Sequence, residues 1–201
     1  MDEVALIQAA KQGDLDAFNH LVLEYQDIAF NVAYRMMSDP AEAQDVTQDA
    51  FVSAYRKLSS FRGGSFKAWL LRIVTNAGYD ALRKRKRQAT TPLEPLSRDE
   101  EEIESPAWLT DPGESPDQHA ERGELGRAIQ QCLDGLGAEF RAVVVLVDMQ
   151  GMDYAEASRV VGKPLGTLKS RLARARVRMQ DCLQGYGELL PSRYRLDGER
   201  S

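Results

Sequence analysis

The segment DYAEASRVVGKPLGTLKSRLARARVR, Asp153 to Arg178, leaves its backbone few choices. Asp153 is placed to cap a helix, with Glu156 three residues later as in a capping box. Gly162 ends that helix, because a sharp turn needs the left-handed conformation that glycine accepts. Pro164 suits the first turn of a second helix, where a missing N–H costs nothing. Leu165, Leu168 and Leu172 then recur at helical spacing and give the second helix one apolar side. Its other sides carry Lys169, Arg171, Arg174, Arg176 and Arg178, and Lys163 to Arg178 holds six basic residues and no acid. Two short helices, a tight turn and a basic second helix suit entry into a DNA groove. The same pattern also describes a helical hairpin with a solvated basic face.

The net charge of −5 looks wrong for a DNA-binding chain until its distribution is considered. Residues 61–87 hold eight basic residues against Asp80, a net of +7, and residues 88–124 hold eleven acids and two bases, a net of −9. Binding follows local potential and not the total. Five of the eight prolines (Pro92, Pro95, Pro106, Pro112 and Pro116) fall between Gln88 and Gln118, beside the acidic run Asp99–Glu102. Such a stretch is a linker extended by self-repulsion. Ile103, Trp108 and Leu109, among its apolar groups, are equally consistent with docking or with no role.

Helical periodicity fills the rest. Residues 4–37 repeat as a short helix and a longer one, broken at Gly13–Asp14. Ser38-Asp39-Pro40 stops one helix and starts the next, with Pro40 in the first position. From Pro40 to Leu58, Val46, Ala50, Phe51, Ala54 and Leu58 face a core, and Glu42, Asp45, Gln48 and Asp49 face away. Ser59–Ser65 is a loop by composition. Phe66–Arg87 is a helix with Trp69, Leu70, Ile73, Val74, Ala77 and Leu82 on its apolar side. It ends in RKRKR, more charge than a helix dipole needs. Phe140–Met149 contains five consecutive aliphatics that local propensity favours as a strand. We assign it as helix, because an isolated strand would have no partner. The expected fold is all-α: two small helical domains joined by a flexible acidic linker, with a polar tail after residue 185.

Several chemistries are excluded. The sequence contains no Walker loop, GxGxxG, GxSxG or HExxH. His20 and His119 lack a triad or metal setting, so we expect neither an enzyme nor a metal or cofactor. Cys132 and Cys182 lie far apart in sequence without a CxxC, which points to a reducing cytosol and away from a zinc site; both are expected as buried or half-buried helix residues in preference to a redox switch. No apolar run is long enough to cross a bilayer.

The order of parts then becomes specific. AFNHLVLEYQDIAFNVAYRM, AEAQDVTQDAFVSAYRKLSSF, FKAWLLRIVTNAGYDALRKRKR and DYAEASRVVGKPLGTLKSRLARARVRM follow one another across residues 4–183. The chain resembles bacterial RNA polymerase sigma factors of the extracytoplasmic-function (ECF) group. That resemblance implies a region 2-like domain over 1–87, a linker over 88–118, a region 4-like helix–turn–helix domain over 119–185 and a tail over 186–201. It also implies a cytoplasmic partner of core RNA polymerase, touching the β′ clamp and the β flap. Asp45, Gln48, Asp49 and Phe51 would meet the clamp, where carboxylates facing a basic surface supply steering and orientation. Phe61, Arg62 and Gly63, with Arg72, Asn76, Asp80, Arg83, Lys84, Arg85 and Arg87, would handle the −10 element, opening strands and holding phosphates. Thr167, Lys169, Ser170, Arg171 and Arg174 would meet the −35 element, with Lys169 and Arg171 nearest the base edges. The acidic linker would thread the RNA exit path, and an anti-sigma factor would hold the protein inactive.

The chain departs from the family pattern at Ala157 and Ser158, where a large aliphatic and an alanine are favoured, and at Ala43-Gln44, where acids are favoured. A stand-alone helix–turn–helix regulator is one alternative, and an adaptor that binds polymerase without reading DNA is another. Neither small-molecule substrate nor membrane insertion is expected.

Overall fold

The computed structural model describes residues 2–89 and 116–189. The expected linker core, with Ile103, Trp108 and Leu109, and the tail beyond Leu189 lie outside the described residues. Within them the chain forms eight α-helices and no strand. These are α1 (Glu3–Lys11), α2 (Leu15–Met37), α3 (Pro40–Lys57), α4 (Phe66–Ala89), α5 (Pro116–Asp134), α6 (Ala138–Val144), α7 (Tyr154–Val161) and α8 (Leu165–Gln184). The aliphatic run continues α6 as one π turn over Val145–Met149, so it is helical as expected.

Side-chain caps set the helix starts. Asp14 accepts from the Ala17 N–H at 3.0 Å, Asp39 from Glu42 at 2.8 Å and Asp153 from Glu156 at 2.8 Å. Each satisfies a donor that the first helical turn leaves without a partner. Gly162 ends α7 at φ +64°, and the next N–H, from Lys163, reaches back to the Ser158 carbonyl at 3.1 Å. Ser158 has a use here: its hydroxyl donates to the Lys163 carbonyl at 2.6 Å and ties the turn from the other side. Ala157 is fully buried against the helix pair.

Helices α1 to α4 form one bundle and α5 to α8 another, and their apolar cores are continuous. Leu21, Val32, Met36, Leu70 and Leu71 fill the first; Leu133, Leu146, Leu168 and Leu172 fill the second. Helix α4 packs on α7, while α2 packs on α5 and α6.

A polar cluster fastens the same junction at the C-terminal end of α2. Arg141 of α6 is 6% exposed and donates to the Met36 carbonyl at 2.6 Å and the Asp134 carbonyl at 3.0 Å. A cation at the end of a helix meets both its dipole and its unpaired carbonyls. Gln130 of α5 donates to the Arg35 carbonyl at 3.3 Å and to the Ser38 hydroxyl at 2.9 Å, and accepts from the Arg35 side chain at 3.1 Å. Ser38 also donates to Asp134. These bonds hold Ser38 at φ +66°, a left-handed conformation uncommon for a residue with a Cβ.

One expectation fails in part: the two cysteines are buried and half-buried helix residues as expected, but they are bonded to each other. Cys132 of α5 and Cys182 of α8 are not free thiols; they form a disulfide with Cα atoms 5.7 Å apart. Fifty residues separate them in sequence, and only the antiparallel return of α8 along α5 brings them together.

Candidate nucleic-acid and polymerase interfaces

On α4, an apolar side holds the helix against α2 and α3, so the charged positions turn outward. Arg72, Asn76, Asp80, Arg83, Lys84 and Arg87 are all exposed. Asp80 and Arg83 pair at 3.1 Å, with both side chains about three-quarters exposed. Such a pair contributes little stability, so Arg83 is readily exchanged to an outside anion. Arg85 turns the other way: it pairs with Glu42 of α3 at 3.1 Å and donates to the Met37 carbonyl at 3.4 Å.

Helices α3 and α4 enclose a groove of 700 Å³ bordered by Asp45, Asp49, Asn76, Asp80, Lys84 and Arg87. The sequence assigned these acids and these bases to different partners, and the fold sets them on facing walls. Asp45, Gln48 and Asp49 are exposed, and Phe51 is half-buried. Gln48 and Phe51 border a second, apolar groove of 540 Å³ between α2 and α3, with Leu15, Phe18, Val22, Val52 and Tyr55. Leu15 is 59% exposed and Val52 44%. Phe51, Val52 and Tyr55 form an apolar stripe on α3 beside Gln48; the periodicity placed Phe51 in the core and Gln48 outward, and assigned neither Val52 nor Tyr55.

The loop before α4 needs correction in one respect. Arg62 and Gly63 are exposed, and Gly63 and Gly64 take φ of +94° and +88°, which admits little but glycine. Phe61, expected among the residues that handle the −10 element, is instead 6% exposed. Its ring lies 5.6 Å from Phe66 and 5.4 Å from Trp69, and Lys11 donates to its carbonyl. It anchors the loop, because a large aromatic beside an apolar cluster gains more by burial than by waiting for a ligand.

The second bundle presents α8. Lys169, Ser170 and Arg174 are exposed, and Thr167 is half-buried at the start of the helix. Aromatic rings support the cations: Lys169 lies 5.9 Å from the Tyr154 ring centre, and Arg174 and Arg178 lie 5.9 and 4.9 Å from that of Phe140. Arg176 is held by two bonds to Asp148, at 3.1 and 2.5 Å, which raise its pKa further above the ordinary guanidinium value.

Arg171 stands apart. Its side chain is 17% exposed and pairs with Glu139 at 2.5 Å. Tyr79 of α4 lies in the same field: burial, with Glu139 adding to it, pushes the phenol up to about 12, while Arg171 opposes. In this arrangement Arg171 faces the domain junction and not open solvent. The helix brings Lys169, Ser170 and Arg174 to one outer surface and withholds Arg171.

Beyond that geometry, the chain matches known proteins along both halves. The family Sigma-70 region 2 matches residues 21–88, and the family Sigma-70, region 4 matches residues 126–179. An ECF RNA polymerase sigma factor, SigE of Mycolicibacterium smegmatis, is 36% identical over 86% of this chain; the chain spans 63% of that relative's length. The RNA polymerase sigma-H factor of Pseudomonas aeruginosa is 36% identical over 180 residues, covering 89% of this chain and 92% of the relative. Among solved structures, CnrH in complex with the cytosolic domain of CnrY is similar, with a TM-score of 0.64, 28% identity and coverage of 92% of this chain and 97% of that one. The sigma factor RpoE of Bartonella quintana, crystallised with the anti-sigma factor NepR, gives 0.61 at 27% identity, covering 83% and 96%. Two sigma regions in one chain do not favour a stand-alone helix–turn–helix regulator. With both regions in order and ECF RNA polymerase sigma factors, SigE of Mycolicibacterium smegmatis and SigW of Bacillus subtilis, matched over most of this chain, the chain belongs to the ECF group of bacterial RNA polymerase sigma factors.

Proposed function

We infer that the chain is a promoter-specificity subunit that binds core RNA polymerase in the cytoplasm, recognises two promoter elements and assists strand opening. It holds no catalytic site of its own. The observation that carries this is the pairing of two outward basic helices, α4 and α8, on separate sigma regions of one chain. The domain division follows: residues 1–87 for polymerase binding and −10 melting, 88–118 as linker, 119–185 for −35 recognition, 186–201 as tail.

Arg72, Arg83, Lys84 and Arg87 supply phosphate contacts, a salt-sensitive and sequence-independent term. Asn76 and Asp80, one turn apart, are the polar groups on α4 able to meet a base edge. Arg62 and Gly63 border the extruded strand, while Phe61 acts from behind as the loop's anchor. Arg85 contributes through Glu42. On α8, Lys169, Ser170, Arg174 and Thr167 meet the −35 groove, and Arg171 joins them once Glu139 releases it. Asp45, Gln48 and Asp49 present polar contacts to the polymerase clamp, and Phe51 the edge of the apolar groove beside them. An anti-sigma factor is the expected inhibitor, a reading supported by the similar sigma factor RpoE of Bartonella quintana, whose structure holds the anti-sigma factor NepR.

The test is transcription in vitro with core polymerase on fragmented genomic DNA, with and without the chain. New, discrete start sites sharing two upstream motifs are expected. An unchanged set of starts would refute the reading.

A further inference from the structure

Helix α5 is a bar between two bodies. Gly126, Gln130 and Asp134, spaced one turn apart, all bond to the end of α2: the Gly126 carbonyl and the Gln130 amide accept from Arg35, and Gln130 and Asp134 hold Ser38. Cys132 lies two residues from both Gln130 and Asp134, about 200° around the helix. It therefore faces the other way and is bonded to Cys182 in the C-terminal half of the DNA-reading helix. Beside it, Tyr186 donates to Gln131 at 2.6 Å.

We propose that Cys132 and Cys182 form a thiol–disulfide switch that sets how firmly α5 is held to α8, and through the opposite stripe of α5, how firmly the two DNA-reading domains stay closed on each other. A disulfide in a reducing compartment is usually transient and regulatory. Cys182 is half-buried and Cys132 only 3% exposed, so an oxidant meets Cys182 first. The Cys182 thiolate takes the terminal oxygen of a hydroperoxide: an S–O bond forms, the O–O bond breaks, and the alkoxide or hydroxide leaves with a proton. Cys132 then attacks the sulfenic sulfur; the S–S bond forms, the S–O bond breaks and water leaves. The two thiols lose two electrons and two protons, and the peroxide gains them. A dithiol reductant reverses the step by two exchanges.

With the bond made, Gln130 and Asp134 are already placed for Arg35 and Ser38, so closing orders fewer groups. The closed form keeps α4 against α7, with Tyr79 of α4 in the field of the Arg171–Glu139 pair. Oxidation thus favours the silent form and reduction the open one. The transcriptional consequence rests on the sigma-factor function proposed above; the bond and the closure do not.

The experiment uses the full chain, reduced with dithiothreitol or oxidised with hydrogen peroxide that is removed before use. Wild type is compared with a C132S/C182S double variant and with Gln130→Ala. Oxidised wild type should take up no thiol-alkylating reagent, melt at least about 5 °C higher than reduced and show a smaller radius of gyration by X-ray scattering. Its yield of transcripts with core polymerase should fall by about fivefold or more. The double serine variant should show none of these responses. Gln130→Ala should still form the bond and gain thermal stability, but lose the change in radius and in transcription. Thiols that stay open to alkylation after peroxide would overturn the proposal. So would a bond that forms while radius and transcript yield match the double serine variant. Absence of transcripts from every variant in both states would instead sink the sigma-factor function, with thiol counts and radius still deciding the switch.

Discussion

Arg141 shows how one residue joins two domains. A guanidinium this buried loses much of its hydration, and burial accordingly lowers its pKa. It is compensated by the Met36 and Asp134 carbonyls and by the Asp134 carboxylate at 3.3 Å, while its Nε has no protein partner. Removing it strands the Met36 and Asp134 carbonyls. We expect Arg141→Met to lower stability by about 2–3 kcal/mol in urea unfolding. A change within about 0.5 kcal/mol would mean the junction does not hold the fold. In sequence this residue looked like any basic position on a helix; nothing local distinguishes a cation that caps a helix a hundred residues away.

Tyr79 gives the same junction a pH signature. Its phenol rises from the ordinary 10.0 to about 12 in the folded chain, chiefly through burial. The folded state therefore favours the protonated form. That contribution is complete below pH 10.0 and is lost as pH rises through about 12. Tyr79→Phe should remove this part of the alkaline fall in stability, as read from urea midpoints across that window. An unaltered slope in the variant would place the loss elsewhere.

At the scale of elements, most boundaries are legible because short-range chemistry sets them. Asp39 and Pro40 start α3, and Asp153 starts α7, as their side chains and N–H inventory dictate. Gly162 carries the helix–turn–helix corner. Gly162→Ala should cost about 1 kcal/mol by forcing a Cβ into the left-handed region, although the space around it is open. A Tm drop of a few degrees checks this; no drop would show the turn to be malleable. The failures all lie in tertiary packing. Phe61 sits in a loop by composition but is drawn into the Phe66–Trp69 cluster from α4. The cysteine pair needs α5 and α8 to run side by side. Glu139 reaches Arg171 only because α6 packs on α8. The candidate site residues were legible as exposed charges on amphipathic helices; which of them the fold would retain for itself was not.

At the scale of the whole molecule, the packed domains and the acidic linker act in the same direction. The Glu139 pair turns Arg171 away from solvent beside the junction, and residues 88–124 carry −9 against the basic helices. The isolated chain should therefore bind promoter DNA weakly, and polymerase should be what separates the two readers. Base-resolved footprinting of the holoenzyme and of the free chain tests this most directly. Two separated protected patches are expected for the holoenzyme and none for the free chain at the same concentration. Lys169→Ala with Arg174→Ala should erase only the upstream patch. A single patch, or tight site-specific protection by the chain without polymerase, would contradict it.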